Sequence, residues 1–467
     1  MGIHVVTLEG ASRHIDSSAI GKLRSELRGP LLTADDDGYD QARRIWNAMI
    51  DKRPALIARC AGAADVMRAV RFAADHELLL SVKGGGHNVA GTAVCEGGLM
   101  IDLSRMKSAW VDPGRRVARA EPGLLWQELD HETQAFGLAT TGGVVGETGI
   151  AGLVLGGGVG WLVRKHGMSC DNLLSADVVT ADGRLVRASA ATHDDLFWAL
   201  RGGGGNFGVV TSFELGLHEV GPVLGGLIVH PRAAAADVIR FHRDFVRSAP
   251  EELTSYVGIL TTPDGMPVVA LASCYCGDLA AGERAVRPMR EFGKPVLDDL
   301  RPRPYAEVQA MMGGGFPWGR RNYWKSSFLA NVNDATVDTI VAHASSMSPL
   351  SAIVLEYYGG AASRVPAGAT AFPHRDAALN LLILGQWENA ADDAAQIGWV
   401  RSFWEALRPW SSAAVYMNAL SDGEGEDRVR AAYGANYARL AAVKNRYDPH
   451  NLFRSNQNVR PLAAAAS

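Results

Sequence analysis

Four glycine-rich stretches crowd the first 210 residues: GGG at 84–86, GGVVGETG at 142–149, GGG at 156–158 and GGGG at 202–205. Such runs cost backbone entropy and break up regular elements. In return they let the backbone approach a ligand closely and aim several N–H groups at one anion. One stretch alone is as readily a tight turn as a binding loop. Four in one half of the chain point to a long ligand with a diphosphate, touched at several places. A Rossmann reading of GGGVG at 156–160 fails, because G-x-G-x-x-G is not completed there and no acidic residue follows at the right distance. G-x-x-x-x-G-K-[ST] is absent, which excludes a P-loop.

Composition narrows the classes further. The 467 residues are 47% hydrophobic and 21% charged, with a net charge of −4. That is enough core for about two to four soluble domains. There is no basic excess to hold nucleic acid or an anionic membrane. MGIHVVTLEG has no charged-then-apolar leader and no 18-residue apolar run follows, so the chain reads as cytoplasmic. Cysteines stand at 60, 95, 170, 274 and 276, too scattered for a disulfide framework. Cys274 and Cys276 share one face of the apparent strand VVALASCYC. Without a second ligand pair they read as small core residues, and no metal is expected. No pattern specifies an oligomeric state.

Along the chain, Val66, Ala69, Val70 and Ala73 form one stripe of a helix over 64–77. Strands are expected at 78–82, 97–104 and 115–123, and a helix ending at Gly137. Residues 140–162 are too glycine-rich for regular structure over most of their length. A hairpin spans 173–189 with an Asp-Gly turn at 182 and 183. A short helix, the GGGG loop and a strand fill 194–218. The glycines then thin out. Helices and strands alternate to about residue 415, and a long helix is predicted over 426–447.

Several segments taken together resemble a known family. GGGHNVAG, TTGGVVGETGIAGLVLGGGVGWL, HGMSCDNLLSADVVTADG, DLFWALRGGGGNFGVVTSFEL and the final YDPHNLFRSNQNVRP are similar to the berberine bridge enzyme-like oxidases. These have the vanillyl-alcohol oxidase and p-cresol methylhydroxylase flavoprotein fold, and the chain most resembles their bacterial natural-product and oligosaccharide oxidase branch. The resemblance implies an α+β, two-domain FAD-binding fold. A discontinuous flavin domain would take residues 1–218 and 416–467. A substrate domain over 219–415 would carry an antiparallel sheet backed by helices.

The resemblance also implies roles. His87 and Cys170 would both be bonded to FAD, at the 8α carbon and C6 of the ring. Gly84, Gly85, Gly86 and Asn88 would surround the pyrophosphate, with Thr148, Gly149 and Gly152 on the far side. Asn206, Gly208 and Val210 would lie by the adenosine half, and Asn456 and Asn458 would return from the C-terminus. Tyr416, in VYMNAL, would be the base, with Glu356 and Lys325 as the neighbours that a phenol of pKa ~10 needs. Substrate hydride would pass to flavin N5, and O₂ would become H₂O₂. Leu381 to Leu384 suggest an apolar wall suited to a hydrophobic or aromatic substrate. Ile150 and Ala151, bulkier than glycine beside the ring, could hinder O₂. Two other readings compete: a flavin-dependent oxygenase or rearrangement enzyme of antibiotic biosynthesis, and a flavin-containing drug-binding or resistance protein.

Overall fold

The structure is a computed structural model and describes residues 2–377, 379–412 and 414–462. The terminal AAAAS tract lies outside them. The stripe expected on the first amphipathic helix is real: Ala63–Asp75 buries Val66, Ala69, Val70 and Ala73. Those side chains share one apolar cluster with a four-stranded sheet. Its order is Leu31–Leu32, Leu56–Arg59, Leu99–Asp102, Leu80–Lys83, and the last two neighbouring pairs run parallel. The strand Leu80–Lys83 delivers the chain into the first glycine loop.

A five-stranded antiparallel sheet follows, ordered Leu185–Ser189, Leu173–Val179, Val209–Gly216, Val117–Ala120, Ala109–Asp112. The 173–189 hairpin forms as expected, and Gly183 supplies the positive φ of its turn, +71°. The 140–162 stretch is more regular than its glycines suggest. Ile150–Leu155 is helical, because the residues between Gly149 and Gly156 are ordinary helix formers apart from Gly152.

An eight-stranded sheet is built from the middle of the chain. Its main path runs Val223–Pro231, Pro267–Tyr275, Leu253–Thr261, Ala352–Tyr357, Leu379–Trp387, Arg321–Leu329, with every neighbour antiparallel. Side chains alternate across it. One face gives Val257, Leu271, Ile353, Leu355, Leu381 and Ile383 to a core with the helices Ala235–Phe245, Asp334–Ala344 and Asp393–Leu407. The other gives Tyr256, Ala272, Cys274 and Phe328 to a cluster with Val159, Trp161, Cys170 and Tyr416. The expected apolar wall is therefore split: Leu381 and Ile383 face the helices, and only Leu382 and Leu384 alternate to the opposite side.

The long helix predicted over 426–447 is two, Glu426–Tyr433 and Tyr437–Tyr447. Gly434, at φ +48°, breaks it. The second helix ties the C-terminal segment down. Lys444 Nζ, fully buried, bonds Asp448 at 2.7 Å and the carbonyls of Asn206 at 2.8 Å and Phe453 at 2.9 Å.

Candidate functional site

At the end of the strand Leu80–Lys83, Gly86 turns the chain at φ +68°. Its carbonyl accepts the Trp46 backbone N–H at 2.9 Å. The Trp46 ring then stacks on the His87 imidazole, 4.4 Å between centroids and 17° from parallel. His87 Nε2 is buried and has no hydrogen-bond partner. Leaving a buried polar atom unpaired costs ~1–3 kcal/mol. Burial lowers the His87 pKa to about 4, so the ring is neutral at physiological pH. A neutral imidazole nitrogen, held flat and unpaired, is a nucleophile waiting for a partner.

The loops beside it leave room for nothing but glycine. A Cβ on Gly85 would lie 2.5 Å from Gly149 Cα, and one on Gly84 would lie 3.0 Å from the Pro122 carbonyl oxygen. Gly152, by contrast, faces open space: its Cβ would meet nothing within 4 Å. Thr148 is held by its backbone, accepting from Trp126 N at 3.0 Å and donating to the Val145 carbonyl at 3.1 Å. Asn88 Oδ1 is within reach of Thr92 Oγ1, at 3.2 Å, and so braces the turn that follows His87.

The second group of expected contacts divides. The Asn206 side chain is spent inside the protein. Its Nδ2 donates to the Gly203 and Gln457 carbonyls and the Tyr433 hydroxyl, and its Oδ1 accepts from Val459 N. It clamps the C-terminal segment to the GGGG loop. Val210 is a core side chain of the five-stranded sheet. Gly208 lets that sheet close, since its Cβ would stand 2.6 Å from Val178 Cγ1. Asn456 and Asn458 are different: each keeps a buried Oδ1 without a partner. Asn456 Nδ2 meanwhile bonds the Gly205 carbonyl at 3.2 Å.

Cys170 does not match His87 in character. It is completely buried, and its N–H is pinned to the Gly157 carbonyl at 2.8 Å. Its Sγ lies 3.7 Å from Asp171 Oδ1 and 3.9 Å from Arg375 Nη2. Arg375 is committed to a two-pronged pair with Asp171, at 2.7 and 2.8 Å. Burial, then the Asp171 carboxylate, push the thiol well above its usual range, against the pull of Arg375 and Arg201. The sulfur is a fully buried thiol held beside the Asp171–Arg375 pair.

The polar groups on the opposite side come from the eight-stranded sheet and the segment after it. Tyr416 N donates to Ser326 Oγ at 3.3 Å, which seats the tyrosine on the strand Arg321–Leu329. Its hydroxyl oxygen accepts from Gly158 N at 3.1 Å and from Asn418 Nδ2 at 3.0 Å. Burial holds the phenol well above its usual pKa, and the nearby Glu356 raises it further against these two donors. Tyr416 therefore rests as a neutral phenol whose oxygen accepts two hydrogen bonds and whose proton is left to donate. Glu356 is the better proton acceptor: burial raises its carboxyl to about 7 while Asn380 and Tyr358 donate to Oε2 at 3.0 and 3.1 Å. Lys325 is not brought to them. It pairs with Glu424 and lies 5.0 Å above the Trp404 ring on the helix side of the sheet. Ile150, proposed to crowd the ring, is fully buried in the core of the first half.

The comparisons with known proteins fit this geometry. Residues 54–189 match the FAD binding domain family and residues 415–460 the family described as berberine and berberine like. The chain is 34% identical over 457 residues to (R)-6-hydroxynicotine oxidase of Paenarthrobacter nicotinovorans, covering 93% of this chain and 97% of that one. It belongs to the berberine bridge enzyme-like family of FAD-linked oxidoreductases. Among solved structures, 6-hydroxy-D-nicotine oxidase from Arthrobacter nicotinovorans superposes with a TM-score of 0.86 at 33% identity, covering 93% of this chain and 98% of that one. A berberine bridge enzyme-like protein of Physcomitrella patens shares the fold, with a TM-score of 0.86 at 22% identity, covering 96% of this chain and the whole of that one. The α+β flavoprotein fold expected from the motifs is the fold observed.

The residues present suit the cofactor of a berberine bridge enzyme-like protein. The glycine cradle, the unpaired His87 Nε2 and the unpaired oxygens of Asn456 and Asn458 are what a long, donor- and acceptor-rich ligand would satisfy. Sequence reasoning missed Trp46, Asn380 and Asn418 as partners of His87, Glu356 and Tyr416. Asn380 left a trace: one amide in the otherwise apolar LNLLILG, on the same face of the sheet as Gln386.

Proposed function

We propose that this chain is a flavin-dependent oxidase of a small organic substrate, with FAD bonded covalently to His87 alone. The observation that carries the reading is the buried, neutral, unpaired His87 Nε2, held flat by Trp46 at the end of a glycine loop. Gly84, Gly85, Gly86, Thr148, Gly149 and Gly152 form the cradle, and Asn456 and Asn458 approach it from the C-terminus. Residues 1–218 and 416–467 make the flavin-binding part, and 219–415 the substrate-binding part. The bound FAD would supply a two-electron acceptor that returns its electrons to O₂ as H₂O₂. The protein's own share is proton handling. Glu356 accepts the proton that the substrate must lose. The Tyr416 O–H, free to donate because both its acceptor positions are filled by Gly158 and Asn418, orients the reacting heteroatom.

This reading departs from a double attachment. Cys170 is left out because burial and the Asp171 carboxylate beside it disfavour the thiolate that would make the bond. The test is acid precipitation of the purified yellow protein. Colour should stay with the pellet in the unaltered protein and in Cys170→Ala, and pass to the supernatant in His87→Ala. Colour released from the unaltered protein would end the covalent reading. Release from Cys170→Ala alone would restore a bond at that sulfur.

A further inference from the structure

Trp46 is fully buried, and every polar atom it carries is used. Its N–H donates to the Gly86 carbonyl at 2.9 Å, on the loop that carries His87. Its indole Nε1 donates to the Phe316 carbonyl at 2.9 Å, and its own carbonyl accepts from Gly319 N at 3.4 Å. The next two residues make the same bridge. Asn47 Nδ2 donates to the Val89 carbonyl at 2.7 Å and the Asn322 carbonyl at 2.9 Å, and Ala48 N donates to the Arg320 carbonyl at 2.9 Å. Residues 46–48 thus join the histidine loop to the segment 316–322, which comes from the part of the chain proposed to bind substrate. That segment also covers the loop from outside: the Trp318 indole lies 3.5 Å from where a Cβ on Gly86 would stand.

The segment is seated rather than built in. Just before it, Gly313, Gly314 and Gly315 have open space where a Cβ would go, and none has a positive φ. Neither crowding nor backbone geometry calls for glycine there; what glycine adds is freedom to move. Trp318 itself is 43% exposed. If Phe316–Gly319 leaves Trp46, the indole loses its acceptor and the Gly86 side of the loop loses its cover.

We propose that Trp46 is a positioning residue for the attachment of FAD, and that it makes attachment at His87 conditional on the seating of Phe316–Gly319. This rests on the covalent reading given above and adds a condition to it. A histidine side chain turns about two bonds, and a reacting lone pair gains from being held in one direction. The indole, fixed between Gly86 and Phe316, holds the imidazole in one plane through the 4.4 Å stack. The seated segment keeps water from Nε2, so its lone pair stays free of a hydrogen bond that would occupy it. In the attachment, the methyl carbon on ring position 8 gives up a proton and bonds to Nε2. The imidazole gives up its remaining N–H proton. The ring receives the electron pair, and O₂ takes that pair and both protons away as H₂O₂. Trp46 takes neither proton nor electron; it acts through the direction it imposes on His87.

The test uses the full-length protein, produced under riboflavin limitation and then given saturating FAD. Bound flavin is read from the visible spectrum, and samples quenched in acid over time divide it between pellet and supernatant. Trp46→Leu should attach at least about tenfold more slowly at equal bound FAD, on the order of one lost aromatic stack. Trp46→Phe still lays a ring on the imidazole and should recover part of that rate. Phe316→Gly combined with Trp318→Gly leaves Trp46 and His87 in place, and should slow attachment as Trp46→Leu does. The unaltered rate in Trp46→Leu or in the double variant would overturn the inference while the covalent reading stands. So would a Trp46→Phe no faster than Trp46→Leu, or slower attachment that merely follows loss of bound FAD, the mark of a structural role alone. Unaltered protein whose flavin all passes to the supernatant would overturn both. If Trp46→Leu does not fold, the double variant decides alone.

Discussion

The Tyr416 hydroxyl oxygen lies 3.1 Å from the Gly158 backbone nitrogen, across 258 positions of the chain. With Asn418 Nδ2 at 3.0 Å on the same oxygen, both acceptor positions of the phenol are used and its proton is aimed away. Removing the hydroxyl leaves two buried donors unpaired as well as removing a donor from the site. In Tyr416→Phe, flavin reduction by substrate should slow by about 10²-fold. Stability should fall by ~1–3 kcal/mol. Stopped-flow reduction and urea unfolding read the two effects separately. An unchanged reduction rate would remove Tyr416 from the chemistry.

Gly85 and Gly149 approach so closely that an added Cβ would sit 2.5 Å from the opposing Cα. Backbone cannot yield there as a flexible side chain could. Gly85→Ala should force the two loops apart and leave the purified protein largely without FAD. The ratio of flavin to protein absorbance measures this.

The pH dependence of turnover should follow Glu356. Burial raises its carboxyl from 4.5 to about 7, so the proton-accepting form prevails only above neutrality. The rate of flavin reduction should rise through about pH 7, and Glu356→Gln should flatten that limb. Stability runs the other way. The folded state holds this proton more tightly than the unfolded chain, so the contribution of Glu356 is fully present below about pH 4.5 and is lost as pH rises through about 7. Rates and melting temperatures across this window check both signs.

Lys444 and Asp448 form an ion pair with no exposure on either side. Burial has already lowered the lysine to about 8 despite its partner. Asp448→Asn would leave a buried cation with only carbonyls for company. That should cost ~3–5 kcal/mol, seen in urea unfolding. It should also expose the segment after Tyr447 to limited proteolysis, because the pair holds the Asn206 and Phe453 carbonyls together.

Much of this protein was legible before any coordinates. Glycine clusters in the first half point to a long ligand with a diphosphate, because close backbone approach is written directly in residue type, and the family resemblance of the histidine loop and the C-terminal asparagine motif implies that this ligand is FAD. The stripe Val66, Ala69, Val70, Ala73 and the Asp182–Gly183 turn are local, and local periodicity or turn chemistry reports them. What the sequence alone could not separate were residues whose roles depend on the direction of one side chain. His87 and Cys170 looked alike as nucleophiles. Packing left one nitrogen unpaired and set the sulfur beside the Asp171–Arg375 pair. Lys325 and Ser326 are neighbours in the chain, yet strand alternation sends the first to Glu424 and the second to Tyr416. Leu381 to Leu384 read as one wall and became two half-walls for the same reason. Residue identity, through the family resemblance it carries, pointed to the cofactor this chain is built to hold; burial and strand parity, which arise only when distant segments meet, decided which side chains share a face and which are turned to the helices.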